Sequence, residues 1–261
     1  ADNVQEVEIA VSAYETSLNL QIWKNYVDEI AVSVIAPGGT VVGPLQQVQG
    51  TQRFRLGNTN LLVYYGEPSP YNPYQEIYID FIPEETYLEE GIWKIRLTPI
   101  TITDGKFDMW LPAGNVLNSG TGFLNPVEET TLTIPSTAAK VITVGAYDAR
   151  FDQAAFFSGR GYTRATNQVK PDLVAPGVEI MSCAPGGGYQ VRTGTSMATP
   201  FVTGSAALLM QWGIVDGNDA YLYGEKMKAY LIRGARKLPG FSRYPNPVLG
   251  WGALCAADSI P

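Results

Sequence analysis

Apolar and polar side chains alternate through the first half of the chain. Val7, Ile9, Val11 and Ala13 alternate with Glu8, Ala10 and Ser12, and Leu18, Leu20 and Ile22 repeat the pattern. Phe54 and Leu56 stand among Gln52, Arg53 and Arg55. Ile77, Ile79 and Phe81 alternate with Tyr78 and Asp80, and Trp93, Ile95 and Leu97 with Lys94 and Arg96. Period two predicts strands with one buried and one wet face. Pro37-Gly38-Gly39, Gly57-Asn58, Glu90-Gly91 and Asp104-Gly105 supply turns between them. Short strands at this spacing predict an antiparallel β jelly-roll-like sandwich over residues 1–126.

The pattern changes after Asn125-Pro126. Val141 to Gly145 and Leu173 to Ala175 are apolar runs without alternation, as expected of strands buried on both faces. Residues 199–212 predict an apolar helix. Residues 224–235 predict a second, with Met227, Leu231 and Ile232 on one face. Strands interleaved with helices predict an α/β layer with a parallel sheet over residues 127–261.

Composition narrows the chemistry. The 261 residues carry a net charge of −7, with no cluster of Lys or Arg, so no nucleic-acid partner is expected. No run of 18 apolar residues exists, and no membrane partner is expected. The chain contains no His, so an imidazole base or ligand would have to come from elsewhere. No cofactor or metal is expected. Cys183 and Cys255 allow one bridge, which spacing alone leaves open.

The sharpest motif is Gly194-Thr195-Ser196-Met197-Ala198-Thr199-Pro200, running into Phe201-Val202-Thr203-Gly204-Ser205-Ala206-Ala207. It reads as a glycine turn opening a helix. Pro200 is expected in the first turn, where N–H groups have no helical partner. The small residues Ala198, Gly204, Ala206 and Ala207 are expected to pack tightly in a core. Ser196 would stand at the positive helix end, beside free N–H groups that suit a developing oxyanion. A lone serine there would be an ordinary N-cap.

This serine is not alone. The motif closely resembles the catalytic-serine segment of the subtilisin-like serine proteases. Ile134-Pro135-Ser136 through Ala146, Phe156 through Gly161, Lys170 through Gly177 and Leu249 through Leu254 are similar to further segments of that family, in the same order. The resemblance covers residues 130–261. It implies a peptidase in which Ser196 is the catalytic nucleophile and forms an acyl-enzyme with a protein or peptide substrate. Phe201 replaces a non-catalytic His of the family. The family's Asp and His motifs have no match. Asn115, in Ala113-Gly114-Asn115, is a weak candidate oxyanion donor and reads better as a turn residue. The resemblance therefore implies a C-terminal portion completed by an N-terminal fragment carrying Asp, His and the oxyanion Asn, or by self-association. A sandwich running directly into the serine half is similar to bacterial subtilases related to clostridial spore-germination proteases. That implies an extracellular or spore- and cell-envelope location.

Three rival readings remain open. A serine-carboxyl peptidase would tolerate the lack of His. A Ser–Lys hydrolase would need Lys140, Lys170 or Lys226 buried, whereas all three read as solvated. A non-catalytic binding or assembly module would use Trp23, Tyr64, Tyr65, Tyr71 and Tyr74 as a platform for carbohydrate or protein.

Overall fold

The computed structural model describes residues 3–48, 50–113 and 116–261. The chain divides into two compact units, Ala1–Pro126 and Val127–Pro261.

The first unit is a double sheet. Its strands are β1 (Gln5–Val11), β2 (Leu18–Asn25), β3 (Glu29–Ile35), β4 (Val41–Val42), β5 (Thr51–Leu56), β6 (Thr59–Tyr65), β7 (Tyr74–Pro83), β8 (Gly91–Thr101), β9 (Phe107–Trp110) and β10 (Gly122–Phe123). One sheet has the order β10-β1-β8-β3-β4, the other β5-β6-β7-β2-β9, and every pairing is antiparallel. Alternate side chains from both sheets meet in one core: Ile9, Val34 and Trp93 from the first, Leu20, Val63 and Ile79 from the second. Phe81 and Trp93 touch edge-to-face at 5.2 Å between ring centres. That geometry adds to what area burial alone supplies.

In the second unit, β11 (Val144–Asp148) lies between β12 (Gln153–Ala154), antiparallel, and β13 (Leu173–Pro176), parallel. β14 (Ile180–Cys183) and β15 (Tyr189–Arg192) form a hairpin. Helix α1 (Thr195–Met210) continues into a π-helical turn over Gln211–Val215, followed by α2 (Gly224–Arg233) and the short α3 (Ala256–Ser259). Ala146, Leu173 and Ala175 from the sheet bury against Ala198, Val202 and Leu209 of α1.

Four expectations change here. β11 starts at Val144 rather than Val141, because the Val141 carbonyl and the Thr143 N–H are committed to side chains. The Thr143 N–H donates to the Asp172 carboxylate at 2.7 Å, and the Val141 carbonyl accepts from Lys170 and Lys228 at 2.9 and 3.1 Å. Helix α1 starts at Thr195, so Pro200 is its sixth residue. It lies past the free first turn and has no N–H to give the Ser196 carbonyl. The small residues of α1 pack only in part: Ala198 is buried and Ala206 half-buried against the core, whereas Gly204 and Ala207 are exposed, and a Cβ at Gly204 would meet nothing within 4 Å. Finally, Lys170 is buried.

Candidate active site

The chain reaches Ser196 through two glycines. Gly177 follows β13 and is buried, and its carbonyl accepts the Gly194 N–H at 2.8 Å. A Cβ on Gly177 would fall 2.6 Å from Ala146 Cβ and 3.0 Å from the Gly194 carbonyl oxygen. No side chain fits there, which lets the turn sit directly on β11. Gly194 is the N-cap of α1 with φ 154°, a value side-chain-bearing residues rarely adopt. It offers no side chain to cap the helix. Ser196 is the second residue of α1 and is exposed. Its hydroxyl and the uncapped first-turn N–H groups therefore share one exposed helix end.

Beside this end lies an open cavity of about 440 Å³, lined among others by Thr195, Gly145, Phe156, Ser158 and Thr133. Glu128 and Arg160 form an ion pair on its wall. The buried Ser158 hydroxyl accepts the Ala146 N–H at 3.0 Å, pinning the loop after β12 to β11. Ser196 itself is not among the lining residues.

The three lysines considered as bases for Ser196 are engaged elsewhere. Of the three, Lys170 is buried, 1% exposed. Its Nζ donates to the Val141 carbonyl at 2.9 Å, Thr143 Oγ1 at 3.0 Å and Asp172 Oδ2 at 2.7 Å. An ammonium has three hydrogens, and all three have acceptors other than Ser196. Burial pulls its pKa below the usual lysine value despite Asp172 beside it. Lys140 is exposed near Glu225, and Lys226 pairs with Asp219. No group of three His, Cys, Asp or Glu side chains among the described residues could hold a metal. Cys183 and Cys255 are both free thiols. Asn115 lies outside the described residues. Sequence reasoning singled out Ser196 but missed the Lys170–Asp172–Lys228 cluster. Its signal was available: two charges flank Pro171 immediately before a wholly apolar strand.

The segment that builds this site matches a known family. The model described as "Subtilase family" aligns with residues 111–252, more than half of the chain.

The chain belongs to the subtilase family.

Among curated subtilases, it is 34% identical over 169 residues to the serine protease AprX of Bacillus subtilis, an alignment covering 57% of this chain and 36% of AprX. It is 46% identical over 77 residues to the intracellular serine protease of Paenibacillus polymyxa, covering 30% of this chain and 21% of that protein. Among solved structures, the Clostridium perfringens CspB protease superposes with a TM-score of 0.90 at 36% identity. That match covers 99% of this chain and 54% of CspB. The chain thus spans about half the length, or less, of these subtilases.

Proposed function

We propose that this chain is the serine-bearing portion of a subtilase that hydrolyses peptide bonds in protein substrates, with Ser196 as nucleophile. The observation that carries the reading is Ser196 at an uncapped helix N-terminus, set there by Gly177 and Gly194 within the segment matched by the subtilase model. A His and an Asp from outside these 261 residues take up and orient the Ser196 proton. The Ser196 N–H and an Asn from the same outside segment hold the oxyanion.

Helix α1 supports the need for a covering segment. An 18-residue window of Thr195–Val215 has a mean hydropathy of 1.2, enough by length and composition alone to cross a membrane, yet that window is only 28% buried. Phe201, Leu208 and Met210 face outward at 41%, 58% and 46% exposure. One side of the helix already packs on β11 and β13. We read the other side as the seat of the segment bearing the rest of the triad. We further read the double sheet as a jelly-roll-like insertion. The pairs β1·β8 and β2·β7 nest around the inner strands, as a jelly roll requires. The inner strands depart from it, with β3·β4 and β5·β6 as successive hairpins.

A fluorophosphonate probe tests the catalytic reading. It should label Ser196 in the full-length protein, barely label the 261-residue chain alone, and label neither after Ser196→Ala. Strong labelling of the chain alone would mean a base lies within it, and the shared-triad reading would fall.

A further inference from the structure

One residue beside the serine turn holds a backbone conformation that its type avoids. Glu179, two residues after Gly177, has φ 53°, in the left-handed region. Gly, Asn and Asp visit that region readily, and a glutamate seldom does. Such a conformation persists only where its surroundings impose it, and it concentrates at working sites.

The surroundings act here from two sides. The Glu179 N–H donates to Thr193 Oγ1 at 2.9 Å, and the Gly194 N–H donates to the Gly177 carbonyl at 2.8 Å. These two bonds staple the turn that opens α1 onto residues 177–179. On the other side, the Glu179 carboxylate pairs with Arg150 Nη1. Arg150 in turn grips Asp148, the last residue of β11, through Nε at 3.0 Å and Nη2 at 2.7 Å. Those bonds from Arg150 hold the Asp148 carboxyl below its usual range. A line of contacts thus runs from β11 through Arg150 and Glu179 to Thr193, three residues before Ser196.

We propose that Glu179 is a positioning residue for Ser196. It ties the serine turn to the end of β11 and so fixes where the hydroxyl and the first-turn N–H groups point. The inference rests on the protease reading and deepens it. The Arg150 and Glu179 side chains are both about half exposed, and so open an ion pair contributes little to stability. The tether acts on geometry, to which a nucleophile is more sensitive than folding is.

The test is saturation kinetics of fluorophosphonate labelling in the full-length protein. Glu179→Asn keeps the left-handed backbone with a residue suited to it and removes the link to Arg150. The maximal labelling rate should fall about tenfold with the half-saturating concentration unchanged. The melting temperature should hold or rise, because strain is relieved. Thr193→Val should slow labelling equally, and Thr193→Ser, which keeps the hydroxyl, should label like wild type. This second pair keeps the test valid if Glu179→Asn does not fold. Asp152→Asn is the control. Asp152 also has a positive φ, 54°, and also pairs with an arginine, but that partner is Arg236, just after α2, at 2.9 Å. Asp152→Asn should label at the wild-type rate. Equal slowing in the control would reduce the effect to a loosened loop and overturn the proposal. So would normal labelling of Glu179→Asn, or slowing that only follows a fall in its melting temperature. A wild-type protein that does not label would overturn the protease reading itself, and this inference with it.

Discussion

Lys170 and Asp172 show what one buried charge asks of its neighbours. Asp172 is 3% exposed and takes Lys170 and the Thr143 N–H on Oδ2, each at 2.7 Å, and Lys228 on Oδ1, also at 2.7 Å. Removing Lys170 leaves Asp172 Oδ2 and the Thr143 hydroxyl each one donor short in a dry site, while the Val141 carbonyl keeps Lys228. We expect Lys170→Ala to cost about 3 kcal/mol, the usual result of breaking a buried pair from one side. Urea unfolding of the chain checks this, and a loss below about 1 kcal/mol would mean the lysine is dispensable. Asp28 in the sandwich makes a second prediction. Burial pushes its carboxyl up, but the N–H groups of Asp104, Thr103 and Gly105, with Lys24 nearby, outweigh burial and hold it below the usual carboxylate range. A depressed pKa contributes stability above the unfolded value, near 4. That contribution disappears as pH falls through the folded value. Asp28→Asn should therefore cost about 2 kcal/mol at neutral pH, and its deficit against wild type should narrow as pH falls below about 4. A deficit constant from pH 7 to pH 3 would refute the account.

Elements fixed by one periodic signal were readable before any coordinates. β1, β2, β5, β7 and β8 fall where alternation puts them. β3 and β6 were invisible to it. Ala31-Val32-Ser33-Val34-Ile35 and Leu61-Leu62-Val63-Tyr64-Tyr65 are nearly continuous apolar runs, and only pairing decides which side chain faces in. Tyr65 is thus core while Tyr64 is surface, which takes Tyr65 out of a platform of Trp23, Tyr64, Tyr65, Tyr71 and Tyr74. At the site, the motif gave the serine and the glycine turn, but not the fit of Gly177 against Ala146. That fit carries a third prediction. Gly177→Ala puts a Cβ into Ala146 and the Gly194 carbonyl, both on rigid backbone. The cost should be about 2 kcal/mol by overpacking, and the displaced turn should slow fluorophosphonate labelling of the complete protein. Unchanged labelling would show that Ser196 does not depend on this contact.

At the scale of the whole molecule, the outward face of α1 makes the fourth prediction. Leu208 is 58% exposed in this chain. Leu208→Glu should leave the melting temperature of the 261-residue chain within the range of an ordinary surface change, about 0.5 kcal/mol. In the full-length protein the same charge would be pressed into a dry seam, and the melting temperature should fall by several degrees. Equal effects in both would mean that nothing covers this face.

The pairing of the first and last strands of the sandwich has a consequence for its modularity. Ile9 lies opposite Phe123 and Ala10 opposite Gly122, and the Leu124 N–H reaches the Glu8 carbonyl at 3.0 Å. The two strands are antiparallel, so the chain enters and leaves the unit side by side, about one strand spacing apart. A unit with such ends behaves like a plug with both wires on one side. It can be spliced into a surface loop of a host, or cut out and replaced by a few glycines, without stretching the host. Tension on those two ends would meet β1 and β10 in unzipping geometry, one hydrogen bond at a time.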